Sequence, residues 1–140
     1  MKGNCMIKNV CAGIALFVAS SLPTHAAESD WVEVSATDVN AFSIQVGSVE
    51  VGKNKGGAKI FSVTGRVLNK QTKSITVETW YVTASDCELE RGSLVTLTIA
   101  GEYKFENDFV SGDGSVGGSI ADIICGAGLA LAKKQDAKGI

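Results

Sequence analysis

The sequence predicts an α+β domain: an antiparallel sheet of five or six strands, with one C-terminal helix packed on a face and tied by a disulfide. Three observations carry that expectation. From Trp31 to Phe109, β-branched, aromatic and aliphatic residues recur with a period of two, in runs separated by polar or glycine-rich turns. After Gly112 the pattern changes once, to a single helical stretch. Strands that follow one another without intervening helices point to antiparallel pairing, because parallel crossovers need a dozen or more residues. Finally, one cysteine lies in each region, Cys87 at the end of a long strand and Cys125 in the helix.

The first 26 residues read as a secretory leader. Lys2 and Lys8 form a basic start, Val10 to Ala19 an apolar core, and Ser20 to Ala26 a short end with small residues, so cleavage is expected after Ala26. The apolar run is far short of the roughly 20 residues that span a bilayer, and no membrane span is expected in the mature chain. Cys5 and Cys11 leave with the leader, and neither sits in a lipoprotein-type sequence. Cleavage removes two of the 13 basic residues and none of the 15 acidic ones, leaving a net charge of −4. The acidic, well-mixed charge argues against nucleic-acid binding. The only histidine, His25, is lost as well. That excludes Ser-His-Asp and Cys-His catalysis and the histidine-containing zinc sites; no cofactor is expected.

Two cysteines then remain in an exported chain, and a disulfide is the expected state in an oxidising compartment, with two buried thiols as the alternative. Closing a loop of about 39 residues stabilises a fold by roughly 4 kcal/mol on the chain-entropy view.

The elements follow in order. Trp31 to Ser35 is a first strand and Ala36 to Asn40 a turn. Ala41 to Val46 alternates, with Phe42, Ile44 and Val46 on one face, and Ser48 to Val51 is either its continuation or a short extra piece. Gly52 to Lys59 is a lysine- and glycine-rich hairpin tip; its P-loop spacing lacks the Lys-Ser/Thr that would hold a nucleotide. Ile60 to Leu68 places Phe61, Val63 and Val67 on one face with Gly65. Ser74 to Cys87 reads as one long strand, with Thr76, Glu78, Trp80 and Val82 on one side and Ile75, Val77, Tyr81 and Thr83 on the other. It turns at Glu88 to Gly92 and pairs with Ser93 to Ala100 as the strongest hairpin of the chain. Glu102 to Phe109 supplies a last strand.

Gly112, Gly114 and Gly117 match G-x-G-x-x-G, but no βαβ unit surrounds them, which rejects a dinucleotide site. Asp113 and Gly114 make a turn instead, and Ser115 caps the helix. Val116, Ile120, Ile123, Ile124 and Ala127 form an apolar stripe expected to face the sheet, with Ser119 and Asp122 on the wet side. At 100° per residue Cys125 falls outside the stripe, so the disulfide is expected in a frayed last turn loosened by Gly126 and Gly128. The domain is then 27–128, with a polar tail, 129–140, that either extends the helix for a turn or two or, as is expected, frays to disorder.

The order Trp31-Val-x-Val, Phe42-x-Ile44, Tyr81-x-x-x-x-Asp86-Cys87 and Gly114-Ser115-Val116 before a helix closing on Cys125 resembles the bacterial surface-adhesin protein E domain, over nearly all of residues 31–125. The resemblance implies an antiparallel sheet whose C-terminal helix is held by Cys87–Cys125. It also implies binding of host or extracellular matrix proteins at the cell surface. Candidate contacts are Lys53, Lys55 and Lys59 in the hairpin tip and Arg91, beside Glu88 and Glu90, in the central turn. The alternative is a periplasmic structural or envelope-associated protein without adhesion. Catalysis would have to rest on Asp86, Glu88 and Glu90, which alternate along one side if the strand runs through them; no enzyme activity is expected.

Overall fold

A computed structural model describes residues 30–139. The predicted leader, with Cys5, Cys11 and His25, lies outside the described residues. The chain runs β1 (Trp31–Ala36), β2 (Asn40–Gln45), β3 (Glu50–Lys53), β4 (Lys59–Asn69), β5 (Ile75–Thr83), α1 (Ala84–Leu89), β6 (Arg91–Thr98), β7 (Tyr103–Val110) and α2 (Val116–Gly139). The seven strands form one sheet in the order β1-β2-β4-β5-β6-β7, with β3 also paired to β4. Pairing is antiparallel from β2 through to β7. The α+β expectation holds, with one strand more than expected.

The additional strand is β3. Residues 40–44 pair with the far half of β4 and residues 50–53 with its near half, so β2 and β3 share one edge. Between them the chain bulges at Gly47, whose φ of 81° suits glycine. The gap leaves the Thr64 amide without a strand partner, and the Ser48 hydroxyl accepts from it at 3.0 Å while donating to the Gln45 carbonyl.

The core lies between one face of the sheet and α2. Ile44, Phe61, Val63, Trp80, Val82, Leu94 and Phe109 come from the strands, and Ile120, Ala121 and Ile124 from the helix. Phe61 and Val63 are on the face the alternation assigns to them; on β5 the buried side is that of Glu78, Trp80 and Val82. Gly65 lies under the Trp80 ring, where a Cβ would come within 2.5 Å of it. The indole can therefore lie flat on β4.

Three sequence expectations are corrected. The strand expected to run from Ser74 to Cys87 ends at Thr83, and α1 takes up Ala84–Leu89. Thr83 caps this helix by accepting from the Asp86 amide at 3.1 Å, and Glu90 closes it in the left-handed conformation. The β-branched run concealed a Thr-x-x-Asp start signal. Secondly, the expected tail is helical: α2 continues through Gly139, as the good helix formers of LALAKKQDAK favour.

The third correction concerns the helix face. Ile120 and Ile124 are buried, but Ile123 is 41% exposed and Ala127 is exposed too. The sheet-facing surface takes in, beside Ile120 and Ile124, the line Ala121, Cys125, Gly128 and Ala132, spaced four, three and four residues apart. Gly128 lets the helix settle on Phe61, where a Cβ would fall 2.2 Å from the ring. The expected stripe holds at Val116, Ile120 and Ile124 and fails at Ile123 and Ala127, because the closest approach to the sheet selects small residues on the adjoining line. Cys125 accordingly sits within the helix, not in a frayed turn, and bonds Cys87 of α1 across a Cα separation of 5.5 Å.

Candidate functional site: a cleft between sheet and helix

The N-terminal half of α2 does not close down on the sheet completely. Between its first turns and strands β2, β4, β5, β6 and β7 lies a cleft of about 570 Å³, lined by both aromatic and polar side chains.

Its floor is built on β5. Glu78 stands two residues from Trp80, on the same face, and is only 5% exposed. Burying a carboxylate is unfavourable unless its charge and lone pairs are met, and here both oxygens are engaged. Trp80 Nε1 donates to Oε1 at 3.0 Å, and Lys104 Nζ donates to Oε2 in an ion pair. The Trp80 ring is held from below by the bare backbone of Gly65 and from the side by Phe42, ring centres 6.4 Å apart and tilted. An aromatic pair in this geometry is favourable beyond its buried area.

The presence of Lys104 in the cleft depends on an irregularity in β7. The β6–β7 register is regular from Arg91↔Val110 to Thr96↔Phe105 and then resumes as Leu97↔Tyr103, leaving Lys104 as the extra residue. Such a bulge breaks the strict alternation of side chains and re-aims them. Lys104 therefore reaches Glu78 on the helix side, beside Phe105, instead of pointing away as alternation from Phe105 would require. Its ammonium lies 6.0 Å from the Phe105 ring centre.

The helix side of the mouth is ordered by a short polar network. Gly118 N donates to Ser115 Oγ at 2.9 Å, while Asp113 Oδ1 accepts from both the amide and the hydroxyl of Ser115. These bonds, the hydroxyl's first, hold the Asp113 carboxyl below its ordinary value of 3.8. Asp122, expected on the wet side, reaches back to accept from Gly112 N at 3.0 Å.

Of the four candidate contact residues, Lys53 and Lys59 are brought together as register partners, while the four border three different hollows. Lys53 and Lys55 border a groove of about 380 Å³ on the helix-free face, with Tyr81, Leu97 and Tyr103. Lys59 pairs with Lys53 in register but lines a depression beside α2, with Glu88, Lys133 and Asp136. Arg91 borders a hollow at the start of β6, with Leu89 and Val110. Asp86, Glu88 and Glu90 do not alternate along a strand: the first two are on α1, Glu90 ends it, and Asp86 Oδ2 accepts from Ser93 N at 3.1 Å. Among the described residues no group of His, Cys, Asp and Glu could hold a metal ion, and no buried side-chain nitrogen or oxygen lacks a partner.

Glu78, Trp80 and Lys104 are the residues that sequence reasoning missed as a site. A signal existed for two of them: an acidic residue in the same alternation set as Trp80 and Val82 marks a buried charge that needs a partner. No family model matches the chain, and no curated protein or solved structure is significantly similar to it. A functional reading must therefore stand on the cleft and the surfaces around it.

Proposed function

We propose that this chain is an exported, non-enzymatic binding module of the kind suggested by its resemblance to surface-adhesin protein E, contacting host or extracellular proteins at the cell surface. The observation that carries the reading is the state of Glu78. The one acid in the floor of the cleft has both oxygens committed, to Trp80 and Lys104, which suits a surface built for holding a ligand more than one that moves protons. The cleft is preformed, with aromatic and aliphatic side chains around a few fixed polar groups, the usual make-up of a recognition site. Lys53 and Lys55 supply a second, basic contact on the opposite face.

Saturable binding of the folded mature chain to immobilised matrix proteins, measured by surface plasmon resonance, is the expected result. A flat response across fibronectin, laminin, vitronectin and collagen would sink the adhesion reading.

One observation favours the alternative of an envelope-associated protein without adhesion. By length and composition alone Val116–Lys138 could cross a membrane, and only 28% of its apolar window is buried. The same helix packs on the sheet and is bonded to α1, which argues against its use as a membrane span. Protease treatment of intact cells separates the two: digestion supports surface display, and protection supports the periplasmic alternative.

A further inference from the structure

We infer that the cleft between α2 and the sheet recognises a neutral saccharide, and that Phe105 and Asn107 are its principal contacts. The inference rests on the proposed role of the chain as a binding module and names the chemistry that the cleft accepts.

The charge arrangement narrows the ligand first. Lys104, itself a third exposed, is already paired with the buried carboxylate of Glu78. An incoming anion would have to compete with that carboxylate for the ammonium and would also meet Asp108, the other carboxylate lining the cleft, while an incoming cation could reach Glu78 only by displacing the ammonium. Leaving the buried Glu78 carboxylate without its ammonium partner is unfavourable. A neutral ligand faces neither competition.

The remaining groups select among neutral ligands. Asn40, Thr76 and Asn107 line the cleft, and amide and hydroxyl side chains can both donate and accept, as successive sugar hydroxyls require. Phe105 is 46% exposed at the mouth, on the cleft side of β7 by regular pairing with the buried Thr96. Its negative π-face suits the polarised C–H face of a pyranose ring. The cavity volume lies within the roughly 300–1,000 Å³ typical of small-molecule sites. Trp80 beneath the floor makes the site self-reporting, since Trp31 is the only other tryptophan.

The test uses the mature chain carrying Trp31→Phe, so that Trp80 is the sole reporter. It is titrated with triacetylchitotriose, maltotriose and mannotriose, and in separate arms with inorganic phosphate, lysine amide and adenosine. The expected result is a saturable change in Trp80 emission with at least one trisaccharide and a weaker response to the other three probes. Phe105→Ala and Asn107→Ala, both at exposed positions, should each weaken that binding about tenfold with an unchanged circular dichroism spectrum.

Silence with all three sugars, a stronger response to phosphate, lysine amide or adenosine, or full binding by both variants would overturn the inference. If matrix proteins bind while the sugars do not, the saccharide inference falls and the binding-module reading stands. If sugars bind while matrix proteins do not, the saccharide inference stands and adhesion to matrix proteins falls.

Discussion

Glu78 and Lys104 come from strands at different places in the sheet order and meet because of one extra residue in β7. Their pairing makes the two sides unequal to mutation. Lys104→Met leaves a carboxylate in the floor with Trp80 as its remaining donor; a buried acceptor that loses a partly exposed partner predicts a fall of about 1–2 kcal/mol in urea unfolding. Glu78→Gln keeps an acceptor for the indole and should be the milder change. Asp113 offers a separate test. Its carboxyl is stabilised in the charged form by Ser115, so its contribution is complete above the ordinary value of 3.8 and is lost as pH falls through the lowered folded value. Asp113→Asn should therefore be less stable than the parent near neutrality, with the gap narrowing in acid; thermal melts from pH 2 to pH 6 would show it. Glu78 was legible in the alternation of β5. Lys104 was not, because a bulge is set by the pairing of two strands and leaves no mark within either one.

Elements were legible where one periodicity dominates and obscured where two signals overlap. The strand β4 and the cap at Ser115 stand as the pattern predicts, whereas the β-branched run of β5 through Thr83 leads directly into a helix start. The left-handed Glu90 that ends α1 is a position where glycine is favoured, so Glu90→Gly should stabilise the fold by about 1 kcal/mol, read as a higher melting temperature. The orientation of α2 yields the opposite kind of test. Gly128→Val puts a branched side chain where Phe61 already lies and should destabilise by about 1–3 kcal/mol, while Ala127→Val on the exposed side should change stability little. If Ala127 proves the more sensitive of the two in denaturant unfolding, the assignment of the buried face is wrong.

At the scale of the whole molecule, the disulfide joins the two helices that the strand pattern cannot position. Cys87→Ser or Cys125→Ser should lower stability by roughly 4 kcal/mol, and added reductant should bring the parent to the same melting temperature. The tether was legible from cysteine count and compartment, and only its place in the helix was misread, since glycines that allow close packing also resemble a stop. The bond has a topological consequence as well. It closes a covalent ring over residues 87–125, which holds β6, β7 and the start of α2, whereas Phe42, Glu78 and Trp80 lie outside it. One wall of the cleft thus belongs to the ring and the other to the open chain. A peptide-bond cut in the Thr98–Glu102 turn adds one water and leaves both fragments linked until the sulfurs are reduced. A cut between residues 54 and 58 has no such restraint, and its fragments part in denaturant alone.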